Sequence, residues 1–356
     1  MTSEEGQLTS IDQLQRLLES TLPQDEIVYA FGYGSGVLSQ NLQNKQTHQQ
    51  KSDNMIDIIV VVKDSLAFHK ANLEQNPHHY EPPFFWQSSS VQARADSANW
   101  WQRHDVLSPL SSFFCNPKVY FNIVPEEGLK YGVVQAMDLA DDLQDWKYLY
   151  LAGRMHKPTV EIIQRPMANQ PDIRQLQHSH NLPAALSTAL LLSNVSTGSS
   201  PMSLSSAEIY TNIAALSYTG DFRMAAGAED PQKITKLVSS PGQMERFDKL
   251  YQEAADRLQQ AGILSINKTN NVWTWDASSA TAKQHLWSSI PVSVQLKSGY
   301  SDDPSSASST TLQAALLSIV APAARYQSLK GLATAGFAKS AAYAARKLSK
   351  GLFRSR

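Results

Sequence analysis

A single cysteine, Cys115, stands in 356 residues. One thiol cannot close an internal disulfide, and it cannot supply the paired thiolates of a zinc finger or ribbon. So little thiol fits a reducing compartment. No run of 18 or more apolar residues occurs, so no bilayer-spanning helix is expected. The first residues, MTSEEGQL, lack the basic and apolar regions of a secretory signal and the arginines of a transit peptide. Acid is missing from residues 304–356, which carry eight Lys or Arg and no Asp or Glu. The formal net charge of the whole chain is −1, so the remainder is acidic. An acidic body with a basic tail points to an anionic partner, either membrane or nucleic acid. What is present is a chain 42% hydrophobic and 18% charged, enough for a sizeable globular core. Its length suggests two domains.

Ser10 and Gln13 read as a capping box before a helix whose inner face is Ile11, Leu14, Leu17 and Leu18, ending before Pro23. IVYAF (27–31) is a short buried strand, and GYGSG (32–36) follows at once. Residues 39–54, rich in Gln, Asn and Lys, read as a loop. IDIIVVV (56–62) is the strongest strand of the chain, since six of its seven residues are Ile or Val. A helix over 65–76 should stop at Pro77, and 77–90 is irregular. KVYFNIV (118–124) and KYGVV (130–134) are further strands. Asp138 is placed as the cap of a helix running to about Arg154, with Leu139, Leu143, Trp146, Leu149 and Tyr150 inside. After Pro171 the pattern becomes helical over 172–193, 205–217, 230–238 and 243–261. ILSI (263–266) and VWTW (272–275) then form a hairpin, so residues 172–297 resemble a winged-helix module. The Ser-rich stretches 193–206 and 298–311 read as loops, and the Ala-rich end as helix. The fold class is therefore α/β: a domain over 1–171, a helical one over 172–297, and a linker with a C-terminal helix over 298–356.

A strand, a Gly34-Ser35 turn and a later strand bearing Asp57 carry the chemistry. Glycine lets backbone N–H groups approach a phosphate, and a serine hydroxyl can donate to the same anion. A strand carboxylate can hold Mg²⁺ against those phosphates. That is the logic of nucleotidyl transfer, in which an oxygen nucleophile displaces pyrophosphate in line. A plain tight turn beside a strand-edge carboxylate is the competing reading. A dinucleotide fingerprint fits poorly, because Val37 takes the place of its third glycine and Asp57 begins its strand rather than ending it. Asn122, Lys130, Arg154 and Lys157 are further polar candidates. Arg154 and Lys157 by themselves read as a solvated helix end, and His69 as packing or capping.

FGYGSGV (31–37), NMIDIIVVVKDSLAFHKANLEQNPHHY (54–80), LKYGVV (129–134), DLQDWKYLYLAGRMHKP (142–158), LSYTGDFRM (216–224) and SLKGLATAGFAKSAAYAARKL (328–348) together resemble the mitochondrial phosphatidate cytidylyltransferase family. The blocks run through most of the chain in the family's order. The resemblance implies a nucleotidyltransferase fold and Mg²⁺ dependence. It also implies transfer of CMP from CTP to phosphatidic acid, giving CDP-diacylglycerol for cardiolipin and phosphatidylglycerol synthesis. The expected location is the matrix side of the inner mitochondrial membrane, as a peripheral protein. By position, Gly34 and Ser35 fall on the nucleotide-binding turn, Asp57 on the metal-binding and catalytic carboxylate, Lys130 in KYGV, and Asp221 (catalytic) and Arg223 (nucleotide-binding) in GDFRM. One departure stands out. The wider superfamily carries D-x-D on the strand, but Met55 and Ile59 flank Asp57 at that spacing. Asp53, Asp64 or Asp221 is left to supply the partner.

The tail gives a membrane expectation. Phe337, Ala341, Ala344, Leu348 and Leu352 share one helical face, while Lys339, Arg346, Lys347, Lys350 and Arg354 gather opposite. The expected partners are CTP, phosphatidic acid and an anionic membrane surface, without nucleic acid and with no oligomeric state specified. The rival class is a non-enzymatic membrane or nucleic-acid binder with a degenerate nucleotide fold. Residues 243–261 argue against nucleic acid: Arg246, Lys249 and Arg257 alternate with Glu245, Asp248, Glu253 and Asp256, leaving no basic stripe.

Overall fold

Five strands build the main sheet: β1 (Ile27–Tyr33), β2 (Ile56–Val62), β3 (Tyr120–Val124), β4 (Leu129–Gln135) and β5 (Val160–Gln164), in the order β3-β4-β2-β1-β5. The computed structural model describes residues 2–38, 55–80, 90–105, 113–165, 168–193, 201–221, 232–299 and 309–334. The expected loop 39–54 therefore lies outside the described residues. β2 and β4 run parallel, and the other neighbours are antiparallel. Ile and Val dominate β2 because Ile58–Val62 are buried on both faces. Alternation then sorts the side chains. Ile58, Val60 and Val62 meet Leu14 and Leu18 of α1 (Thr2–Thr21), Leu22 just beyond its end, and Phe68 of α3 (Ser65–Gln75). Ile59 and Val61 meet Phe31 and the helices of the second half.

Two helix expectations change. Ser10 is not a cap, because α1 starts at Thr2 and carries Ser10 inside it. Gly6 does not interrupt this helix, which runs unbroken from Thr2 to Thr21. Asp138 is not a cap either. It lies in the first turn of α5 (Ala136–Asp145), where Arg103 Nη1 reaches it at 3.0 Å and Lys118 Nζ at 3.2 Å. α5 does not run on to Arg154. Trp146 turns left-handed at φ 48°, and the separate helix α6 (Ala152–Met155) follows. The cause is Asp142, which is buried and accepts the N–H groups of Tyr148, Leu149, Leu151 and Ala152 at 2.7–2.9 Å. Those bonds replace the helical ladder with a loop that still buries Trp146 and Leu149.

Three elements escape the apolar patterns. β5 shows only Ile162 and Ile163 buried. α4 (Val91–Arg103) hides Ala95, Ser97, Ala98 and Gln102, which are small or polar. β6 (Met202–Ser205) lies in a Ser-rich stretch expected to be a loop, and it pairs with the outer hairpin.

In the second half come α7 (Ile173–Leu176), α8 (Leu182–Ser193), α9 (Ser206–Leu216), α10 (Lys233–Ser239) and α11 (Gln243–Gln260). Strands β7 (Leu264–Asn267) and β8 (Val272–Trp275) then form a second sheet of order β6-β8-β7. α12 (Ala280–Ser288), α13 (Val292–Lys297) and α14 (Ser309–Thr334) close the described chain. One buried cluster joins Phe31 and Ile59 of the main sheet to Leu186, Tyr210, Phe247 and Leu316. The main sheet is thus packed against the helices that follow Pro171, and this packing positions the site.

Candidate active site

β1 ends in a turn at Gly34, whose φ of +78° favours glycine. The short helix α2 (Ser35–Leu38) follows. Gly36 sits so close to the next strand that a Cβ there would lie 2.3 Å from the Met55 carbonyl oxygen. The turn is thereby pressed onto the start of β2, where Asp57 stands opposite Tyr33 of β1 and Lys130 of β4. Lys130 Nζ is 3.3 Å from Asp57 Oδ1. Asp57 Oδ2 faces the turn, 3.7 Å from the place a Gly34 Cβ would occupy. Lys130 also lies 5.1 Å over the Phe121 ring. Asp57 and Lys130 are only partly buried, which leaves them open to a ligand.

Tyr33 extends this group. Burial, the strongest influence, holds its hydroxyl above the ordinary value, with Arg154, Lys130 and Asp57 also acting on it. The Arg154 guanidinium lies 5.4 Å over the Tyr33 ring and 4.0 Å over Tyr150, and it donates to the Tyr150 carbonyl at 2.7 Å. Lys157 donates to Ser217 Oγ at 2.7 Å and lies 5.0 Å over Tyr218, with Lys233 5.4 Å over the same ring. α6 approaches the end of α9 closely, since a Cβ on Gly153 would lie 2.3 Å from Ser217 Cβ. Burial, then the charges of Arg154 and Lys233, lower Lys157 to a pKa of about 7. Lys130, Arg154, Lys157 and Lys233 thus form a basic wall beside one carboxylate. Such an array can neutralise polyphosphate charge.

Arg154 and Lys157 are therefore not a solvated helix end. Asn122 leaves the group. It is buried on the opposite face of the sheet, in register with Tyr131, because Lys130 and Tyr131 alternate across the strand. His69 is buried packing, 2.8 Å from Tyr80 Oη and 2.7 Å from Gln102 Oε1, and burial lowers it to about 4. Asp64 cannot be the partner carboxylate. It caps α3 beyond the far end of β2, accepting from Leu66 and Ala67 N–H. Asp221 is buried at the end of the turn after α9, its N–H bonded to the Tyr218 carbonyl at 3.1 Å. That is the turn carrying Ser217 and Tyr218. Asp53 and Arg223 lie outside the described residues, as do Phe337, Lys339, Arg346, Lys347 and Lys350. Tyr33, Tyr150, Ser217, Tyr218 and Lys233 were not singled out by sequence. Tyr33 lies inside the GYGSG block, and Tyr150, Ser217 and Tyr218 flank AGRM and TGDF, whereas Lys233 carries no local signal.

The sequence profile of the family described as "Phosphatidate cytidylyltransferase, mitochondrial" matches residues 14–350. The chain belongs to that family. Three proteins of the same description are similar to it along nearly their whole length. The one from Caenorhabditis briggsae is 30% identical, covering 96% of this chain and 98% of its own. For Drosophila melanogaster the values are 31%, 95% and 98%, and for Danio rerio 32%, 94% and 93%. The mixed five-stranded sheet with flanking helices agrees with the α/β nucleotidyltransferase-like fold that the cytidylyltransferase resemblance implied. No helix among the described residues is long and apolar enough to cross a membrane.

Proposed function

We propose that this cytidylyltransferase-family protein transfers the cytidylyl group of CTP to phosphatidic acid, giving CDP-diacylglycerol and pyrophosphate. The observation that carries the reading is the Asp57–Lys130 pair set against the Gly34 turn, with Arg154, Lys157 and Lys233 alongside. A phosphate oxygen of phosphatidic acid attacks the α-phosphorus of CTP, and the bond to the β-phosphate oxygen breaks. The attacking oxygen is already ionised, so the protein needs no strong base. Its work is alignment and charge neutralisation. In this assignment the Gly34-Ser35 turn cradles the triphosphate, Lys130 takes a phosphate oxygen, and the Arg154–Lys157–Lys233 wall holds the second anionic substrate. Asp221 and Arg223 complete the site from the segment after α9.

The donor set fits Mg²⁺. This ion accepts one or two carboxylates and fills its other positions with phosphate oxygens and water. Asp57 would hold it, and when bound it would supply charge neutralisation on the triphosphate.

The working location is the matrix face of the inner mitochondrial membrane, as a peripheral protein, with the product feeding cardiolipin and phosphatidylglycerol synthesis. The basic tail supports this reading. Residues 172–297 act as a winged-helix-like support rather than a nucleic-acid reader. Arg246 of α11 donates to the Leu38 carbonyl at 2.8 Å and so braces the end of α2. The test is pyrophosphate release from CTP by the purified protein given phosphatidic acid and Mg²⁺. Release that needs all three components, with CDP-diacylglycerol as lipid product, is expected. Pyrophosphate release without lipid dependence would overturn the reading.

A further inference from the structure

On the other side of the sheet, three side chains converge that the transfer reaction does not use. His78 and His79 occupy the 3-10 turn Pro77–His79 that follows α3. Glu127 sits in the turn Pro125–Glu127 between β3 and β4. His79 Nε2 is 3.5 Å from Glu127 Oε1, and His78 Nε2 is 3.8 Å from the same oxygen. Two ligands of a tetrahedral Zn²⁺, each at about 2.0–2.1 Å, stand roughly 3.3–3.4 Å apart. The three side chains are therefore spaced for a shared ion, and 3.5 Å is long for a strong hydrogen bond.

The deeper ligand is also prepared. His79 is 3% exposed, and its Nε2 has no hydrogen-bond partner although it is buried. Its Nδ1 lies 2.8 Å from Tyr131 Oη, which in turn accepts from Asn72 Nδ2 at 2.7 Å. With Nδ1–H donating to Tyr131, the ring is fixed and the Nε2 lone pair is left for another acceptor of electrons. Metal-bound histidines are held in this way by their second nitrogen. A buried, unanswered imidazole nitrogen is costly on its own, and a cation would remove that cost.

We propose that His78, His79 and Glu127 form a site for Zn²⁺ or a similar borderline transition metal, with the fourth position open to water. Two imidazoles and one carboxylate suit such an ion and not Mg²⁺ or Ca²⁺, which take oxygen ligands. The ion ties the end of α3 to the β3–β4 turn. Gly128 follows that turn and accepts the Ile56 N–H at 2.8 Å. The tie thus steadies the starts of β2 and β4, the strands that carry Asp57 and Lys130 on the opposite face.

The test uses the full chain, stripped with a chelator and kept in saturating Mg²⁺. Titration with Zn²⁺ should show one equivalent bound and a raised melting temperature. Co²⁺ should give the intense visible bands of tetrahedral coordination. His78→Ala and Glu127→Gln change exposed groups, so both should keep the metal-free urea midpoint yet bind Zn²⁺ at least about tenfold more weakly. Asp57→Asn should leave Zn²⁺ binding unchanged. No Zn²⁺ binding by the wild type, or equal affinity in wild type and His78→Ala, overturns the proposal. So does a loss of Zn²⁺ binding in Asp57→Asn that His78→Ala does not share.

Discussion

Asp57 and Lys130 face each other directly across two parallel strands, Nζ 3.3 Å from Oδ1, while the second carboxylate oxygen turns toward Gly34. One residue thus meets both the basic wall and the turn. Asp57→Asn keeps the shape and removes the charge. We expect turnover to be abolished, with the unfolding free energy in urea changed by no more than about 1 kcal/mol, since the ion pair is partly exposed. Near-normal activity of Asp57→Asn at saturating Mg²⁺ would sink the metal-ligand assignment.

Gly34 is constrained by its backbone rather than by crowding, because a Cβ would meet only Asp57 Oδ2 at 3.7 Å. Its φ of +78° costs a side chain roughly 1–2 kcal/mol, and more for a β-branched one. Gly34→Val should therefore lower kcat/KM for CTP by at least about tenfold, and Gly34→Ala by less. Ser35→Ala should weaken CTP use by about 1–3 kcal/mol. Equal kinetics for wild type and Gly34→Val would make the turn purely structural.

Lys157, at about pH 7, should take up a proton when anionic substrate binds. The folded value lies below the ordinary 10.5, so the free folded protein is largely neutral at this position by pH 8. A triphosphate or phosphatidic acid favours the charged form and raises the value. Affinity should therefore fall as pH rises through about 7. By the same linkage, this group's contribution to stability improves from about pH 7 up to 10.5, where only the unfolded chain is protonated. Calorimetry of CTP binding at pH 8 in buffers of different ionisation enthalpy should report proton uptake, lost in Lys157→Met. Equal uptake by Lys157→Met would assign the proton elsewhere.

Asp142 organises the 146–152 loop through four backbone N–H bonds. Asp142→Ala leaves those buried donors unanswered. A loss of at least about 3 kcal/mol in urea unfolding is expected. Arg154 and Lys157 follow this loop, so the surviving folded fraction should also show a raised KM. A loss below about 1 kcal/mol would mean that the loop holds itself.

The tail can be tested without cutting the core. Ala323, Ala324, Tyr326, Gln327 and Lys330 of α14 are buried, and Tyr326 Oη donates to the His104 carbonyl at 3.0 Å. Truncation should therefore begin after Thr334. Removing residues 335–356 takes away Lys339, Arg346, Lys347, Lys350, Arg354 and Arg356, each contributing roughly 1 kcal/mol near an anionic surface. Flotation with phosphatidic acid or cardiolipin vesicles should fall, while turnover of short-chain phosphatidic acid in detergent persists. Unchanged flotation would refute the anchor, and equal loss in both assays would favour a packing role.

By itself the sequence determined the family, the fold class and the carboxylate strand. IDIIVVV allows little but a buried strand, and GYGSG has few uses at a strand end, because both patterns are local and strongly biased. The helix-rich second half was legible for the same reason, since the 3.6-residue period survives wherever one face is buried. Tertiary structure decided the rest. Arg154 and Lys157 read as a helix end until Asp142 broke that helix and the end of α9 received them. Asn122 and Lys130 looked alike in sequence, yet strand register put them on opposite faces. β5, α4 and β6 show too few apolar residues to declare themselves, and they exist because neighbouring strands and helices supply the partners. A side chain's face and company depend on contacts between residues far apart in the chain, and no local pattern encodes those.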